Sequence, residues 1–193
     1  SYHIVSQVGY MVAGIGIGTA MTVNGAVAHA YAHILYKGLL FMGVGTVLYA
    51  TGTAHLDKLG GLVKRMPWVM ILYMVGAVSI SGLPFFNGFV SKTMTIAGAA
   101  ESHHTWLAIG MEIAAVGTFL SVGIKLPYFA FWAKPTNETM PLRPIPANMY
   151  VGMGIAAALC LGQGLYPDML YRLLPNVHEA FEYHPYTGWH LLQ

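Results

Sequence analysis

The chain has 193 residues, of which 56% are apolar and only 8% charged, whereas a soluble domain carries roughly 25% charged residues. A water-facing surface cannot be built from that composition, and a net charge of +2, scattered over short loops, excludes nucleic acid as a partner. The apolar residues fall instead into helix-length blocks, and a bilayer core about 30 Å thick needs about 20 helical residues per crossing. The expected fold class is all-α: a polytopic transmembrane helix bundle over residues 1–166, with about five spans.

In chain order, the first expected helix runs from about Ile4 to Ala20 and the second from about Gly25 to Ala50, joined by the tight "TVNG". The glycines of "GIGIG" at 14–18 have no strand before them, so close helix packing accounts for them better than a nucleotide loop. Residues 67–100 form an apolar block of 34 residues interrupted by "SGLPFFNG". Each half is shorter than a full crossing, and Gly82, Pro84 and Gly88 lower helix propensity and remove a backbone donor. One discontinuous helix is therefore predicted. The positive-inside rule agrees: a single broken span places Lys58, Lys64 and Arg65 on the same side as Lys134 and Arg143, with "ESHH" opposite.

Two further helices are predicted, from about Thr105 to Trp132 and from about Asn148 to Tyr166, with Pro141, Pro144 and Pro146 stiffening the linker between them. The lone Cys160 lies in an apolar run, which leaves neither a disulfide framework nor a cysteine metal site. Residues 167–193 read as a polar tail at the outer surface, ending in "GWHLLQ", which resembles the opening of a further helix. Both ends are expected to be cut from a longer chain.

Of nine basic and seven acidic residues, only Lys37, Lys92, Glu112 and Lys125 fall inside the predicted spans. A lysine at the centre of a span costs about 2.5 to 3.5 kcal/mol even on the lenient insertion scale, and such residues mark ion paths and proton relays. Lys37 stands about 18 Å from either end of its helix at 1.5 Å per residue. His29, His33 and Lys37 recur every four residues, which aligns them in one stripe on one helix face. Imidazole accepts on one nitrogen and donates from the other near neutral pH, so the stripe is read as a proton relay. Its rival is that each histidine only hydrogen-bonds a neighbouring helix. Ligands one turn apart on one face would not bracket a haem.

Lys92 follows the break by four residues, where a broken helix exposes carbonyls and half-helix dipoles to a wet cavity. It is taken as a second relay group. Glu112 is open to two readings, relay member or ion-pair partner. Lys125 is a further candidate for relay or ion pairing, but it stands near a helix end, two residues before Pro127, where snorkelling is the default. No metal site and no cofactor are predicted, because nothing in the chain binds iron–sulfur, flavin or nicotinamide.

"SYHIVSQVGYM", "HAYAHILYKGLLFMGVGTV", "GGLVKRMP" and "SGLPFFNGFVSK", in this order and spacing, resemble the later part of the antiporter-like subunits of respiratory complex I, membrane-bound hydrogenases and Mrp-type cation/proton antiporters. The match is strong over residues 1–100 and looser beyond. It implies a full subunit of about fourteen spans with two inverted five-helix repeats, of which this chain holds most of the second and one following helix. It also implies that His29, His33 and Lys37 form the central-axis relay and that Lys92 is the broken-helix lysine of an exit half-channel. Where the family often carries a second proline, this chain has Phe85. "KLPYFAFWAKP" and the "HPYTGWHLLQ" ending lean toward the Mrp-D-like and hydrogenase-associated branches.

The expected function is a proton-translocating membrane subunit within a multisubunit complex, in a prokaryotic cytoplasmic membrane, with protons and, in one alternative, Na⁺ as the ions moved. That alternative is a Na⁺/H⁺ antiporter module. A third reading, of another class, is a structural subunit that keeps the fold and conducts nothing.

Overall fold

A computed structural model of the protein describes residues 2–134, 141–188 and 190. Among them all regular structure is helical. Helices α1 (Tyr2–Ile17), α2 (Ala20–Thr51), α3 (Pro67–Ser81), α4 (Asn87–Glu101) and α6 (Ala147–Leu165) are joined by α5, which runs Thr105–Trp132. Two short helices, α7 (Asp168–Tyr171) and α8 (Val177–Glu182), follow. α2, α5 and α6 are each long and apolar enough to cross a bilayer, and α1 and α3 are shorter apolar helices. The protein is an all-α membrane bundle, as its composition requires.

α2 is the axis on which the others pack. Gly43 of α2 lies against Tyr73, and Gly76 of α3 against Leu39 and Leu40. Further along, His29 hydrogen-bonds Ser91 of α4, Gly25 meets Thr95, and Gly98 meets Thr22. As the α2 number falls from 43 to 22, its partner rises from 73 to 98. The two half-helices thus continue in one direction, antiparallel to α2, and make one discontinuous helix.

The break is built from local chemistry. Gly82 takes a left-handed φ of 79° that ends α3, its N–H donating to the Ser79 carbonyl while the Leu83 N–H reaches Val78. This pairing closes the last turn and is favoured by a glycine at that point. Pro84 then prevents the turn from continuing as helix. Gly88 allows α4 to start directly against α3, since a Cβ there would collide with the Ser79 carbonyl oxygen. Phe85 has φ 72°, a value that proline, locked near −65°, cannot adopt. The departure at this position therefore has a backbone consequence while leaving the break intact.

The expected connection at "TVNG" is corrected. α1 ends at Gly18 (φ 79°), and Thr19 caps α2 by accepting the Thr22 N–H on its side chain at 3.2 Å, so residues 22–25 lie within α2. Asn24 is held there by a tertiary partner: its amide donates to the Asn176 carbonyl at 2.8 Å and accepts the Asn176 N–H at 3.0 Å. Of the glycines at 14–18, Gly14 is a packing residue, because a Cβ would meet the Thr22 carbonyl at 2.7 Å, whereas Gly16 faces open space.

The basic loops meet at the C-terminal end of α2. The Arg143 N–H donates to the Ala50 carbonyl, and Gly60 packs against the Lys134 carbonyl. α7 and α8 pack on the other half of the bundle, where Leu170, Tyr171, Leu174, Ala180 and Tyr183 join Ala28 of α2 and Val90, Met94 and Ala97 of α4. Cys160 is a fully buried free thiol. Most of the further helix expected at 188–193 (residues 189 and 191–193) and part of the proline linker, residues 135–140, lie outside the described residues.

Candidate functional site

α4 places its polar side chains inward. His29 of α2, fully buried, sits between α4 and α1: its Nδ1 pairs with Ser91 Oγ at 3.0 Å and its Nε2 with Gln7 Oε1 at 3.1 Å. The Tyr36 hydroxyl donates to the same Gln7 oxygen at 3.1 Å and lies 3.3 Å from His29 Nε2. Three helices therefore close a hydrogen-bonded cluster around one imidazole, and each member can both give and receive a hydrogen bond except where its tautomer forbids it.

The expected stripe on α2 is present but graded in burial. His29 is enclosed, and His33 and Lys37 are half-buried. The His29 and His33 rings stack with centroids 6.4 Å apart, and Tyr36 meets the His33 ring edge-on at 5.5 Å. Lys37 Nζ lies 5.5 Å from the centre of the Phe41 ring. Three neighbouring atoms of this region are buried without a hydrogen-bond partner among the described residues: His33 Nε2, Ser6 Oγ and Gln7 Nε2. A buried polar atom left without a bond costs about 1 to 3 kcal/mol.

Lys92, 3% exposed, reaches back across the break. Its Nζ donates to the Ile80 carbonyl at 2.5 Å, an acceptor left over by the closing turn of α3 and lying at the negative end of that half-helix. The same Nζ stands 5.4 Å from the centre of the Tyr10 ring, whose other neighbour is His29 at 5.2 Å between centroids. The Tyr10 hydroxyl donates to the Met111 carbonyl of α5. Tyr10 thus connects the His29 cluster to the broken-helix lysine.

Lys92 also opens onto a cavity of about 320 Å³ whose lining includes Ser81, Gly82, Thr93 and Glu112. This volume holds several water molecules. Glu112 therefore shares a chamber with Lys92, without a direct ion pair to it among the described residues. α5 departs from α-helical winding beside this region, turning π-helical over Phe119–Lys125, where Ser121 Oγ pairs with His3 Nε2 of α1 at 2.9 Å. Lys125, at the end of the π-helical turn, is exposed and joins none of these groups.

Gln7, Tyr10, Tyr36 and Ser91 are absent from the sequence-derived set. Ser6 and Gln7 are polar neighbours in an apolar helix, and Tyr36 stands seven residues after His29 on the same face. Both signals are present in the sequence.

An all-α membrane bundle with a broken helix, a buried lysine at the break and a histidine–lysine stripe on the adjacent helix defines the class of antiporter-like membrane proteins. The family described as "NADH:quinone oxidoreductase/Mrp antiporter, TM" matches residues 1–121, and the chain belongs to it. It is 33% identical over 176 residues to a Na(+)/H(+) antiporter subunit of Alkalihalophilus pseudofirmus, a match covering 90% of this chain and 35% of that protein. Among solved structures it resembles a chain of the Mrp complex from Dietzia sp. in fold, with a TM-score of 0.82 at 22% identity, covering 100% of this chain and 44% of that one. It also resembles a chain of the membrane-bound sulfane sulfur reductase, an archaeal respiratory membrane complex, with a TM-score of 0.79 at 30% identity, covering 84% of this chain and 27% of that one. The chain spans about a third of the length of the curated relatives it matches.

Proposed function

We propose that this chain is a proton-conducting part of an antiporter-like subunit, in which protons pass between the Lys37–His33–His29 stripe and Lys92, and from Lys92 into the chamber shared with Glu112. The observation that carries the reading is the set of polar and exchangeable groups that α1, α2 and α4 bring around His29, beside a buried lysine whose ammonium is held by a broken-helix carbonyl. A neutral lysine keeps two N–H donors, gains an acceptor lone pair and loses its charge, so release of its proton weakens its hold on the Ile80 carbonyl and changes the field felt by His29. Such a group can couple proton position to local structure.

The assembly is a multisubunit complex in a prokaryotic cytoplasmic membrane; the complexes formed by the structural relatives and the bacterial and archaeal sources of the matches support this. Sodium exchange is the second reading, favoured by the name of the Alkalihalophilus relative. The test is proton transport by the full-length assembly reconstituted in vesicles. Lys37→Ala and Lys92→Ala are each expected to lower the rate at least about tenfold, because a positioned proton carrier contributes about 10² or more, with assembly intact. Normal transport in both variants contradicts the relay. Repeating the measurement with and without Na⁺ separates proton movement from exchange.

A further inference from the structure

The segment after α6 carries a buried phenol that the relay does not use. Tyr183 is 7% exposed and packs among α2 and α4 residues, its backbone carbonyl held by the Tyr171 hydroxyl at 3.2 Å. Its own hydroxyl is buried, outside normal hydrogen-bond geometry but within reach of the Thr93 hydroxyl. Burial, and to a lesser degree the nearby Glu101, push this phenol well above its ordinary range, so it stays neutral; Thr93 lies beside it. A phenylalanine would fill the same space, so the packing does not require the hydroxyl.

Its position lies between two chambers. On one side is the cavity of about 320 Å³ that Thr93 lines together with Lys92 and Glu112. On the other is an open depression of about 500 Å³, whose wall Tyr183 shares with Glu101, Glu179, Glu182, His184 and His190. One of these carboxylates, Glu182, also faces His178 at 3.5 Å. The depression has no cluster of three or more ligands placed to chelate a metal among the described residues, so its carboxylates act as a field and not as a cage. Negative walls raise the local concentration of cations, hydronium among them.

We propose that Tyr183 gates a proton exit, joining the Lys92–Glu112 chamber through Thr93 to an acidic vestibule formed by Glu101, Glu179 and Glu182. The proposal rests on the relay described above and adds its outlet. A proton leaving the Lys92 ammonium is taken up by water in the inner chamber and passed to a hydroxyl lone pair. The Thr93 hydroxyl, turned from the Phe89 carbonyl that it bonds at rest, hands its own proton to the Tyr183 oxygen as Tyr183 releases its proton to the vestibule, so both end neutral and one proton has crossed.

The experiment uses the full-length assembly in vesicles. Tyr183→Phe keeps the ring and its packing, and it is expected to slow proton transport about tenfold while assembly and thermal stability are unchanged or raised. A hydroxyl with a purely structural role would lower stability instead. Glu101→Gln, Glu179→Gln and Glu182→Gln together, on an exposed surface that does not threaten folding, are expected to slow transport several-fold at low ionic strength and much less at high salt, where the vestibule field is screened. Normal transport by both variants, beside an inactive Lys92→Ala, overturns the outlet and leaves the relay standing. Normal transport by Lys92→Ala overturns the relay and the outlet together.

Discussion

α3 and α4 are two halves of one interrupted helix, each 15 residues long, and they obey opposite rules. α3 is the more apolar, yet only six of its residues are buried, while Trp68 and Ile71 face outward. α4 carries Asn87, Ser91, Lys92, Thr93 and Thr95, and thirteen of its residues are buried. In a soluble protein this ordering would be inverted. Lipid accepts apolar side chains as readily as a protein interior does, so polarity, not hydrophobicity, marks the inward half of the span. The functional groups follow: every polar contact that reaches His29 or crosses the break starts from α4 or ends on it, apart from those of Gln7, Tyr10 and Tyr36.

Substitutions can break or sharpen that contrast. The largest effect is expected from Gly88→Ala, whose methyl would collide with a backbone carbonyl that cannot move without separating α3 from α4. A loss of about 3 kcal/mol or more and failure of assembly are expected, read as absence of the intact complex after detergent extraction. Met94→Ala, at a site 1% exposed in the middle of α4, should lose about 3 kcal/mol through a cavity, seen as a lowered midpoint of detergent-denatured unfolding. His29→Leu is expected to cost about 1 kcal/mol, because Gln7 and Ser91 lose the imidazole but keep their bonds to Tyr36 and the Gly88 carbonyl. Ile71→Ala, on the exposed face of α3, should stay within about 0.5 kcal/mol. If Ile71→Ala proves as damaging as Met94→Ala, α3 is covered by another chain and the contrast between the halves disappears.

The sequence makes the break legible because glycine and proline act locally: Gly82, Pro84 and Gly88 specify the interruption without help from distant residues. The stripe is legible because helical periodicity alone aligns His29, His33 and Lys37. Neutral polar residues are different. Gln7, Tyr36 and Ser91 become a site only when three helices bring them to one imidazole; the polar Ser6–Gln7 pair and the spacing of Tyr36 from His29 are visible in the sequence, but their meeting is not. The α1–α2 turn falls before the place its composition suggests for a related reason. "TVNG" has turn composition, but Thr19 supplies the cap and Asn24 finds its partner 152 residues later in the chain. Glu112 and Lys92 likewise meet only through the packing of α5 on α4.

The central claim is that Lys92 carries a proton and does not merely fasten the break by bonding Ile80. Arginine keeps the charge and the donors and stays protonated at any accessible pH, so Lys92→Arg preserves a fastener and disables a carrier. Proton transport by the full-length assembly in vesicles, with assembly verified in each case, compares Lys92→Arg with Lys92→Ala and the unaltered protein. The account predicts that arginine fails nearly as badly as alanine. Near-normal transport with arginine would contradict it.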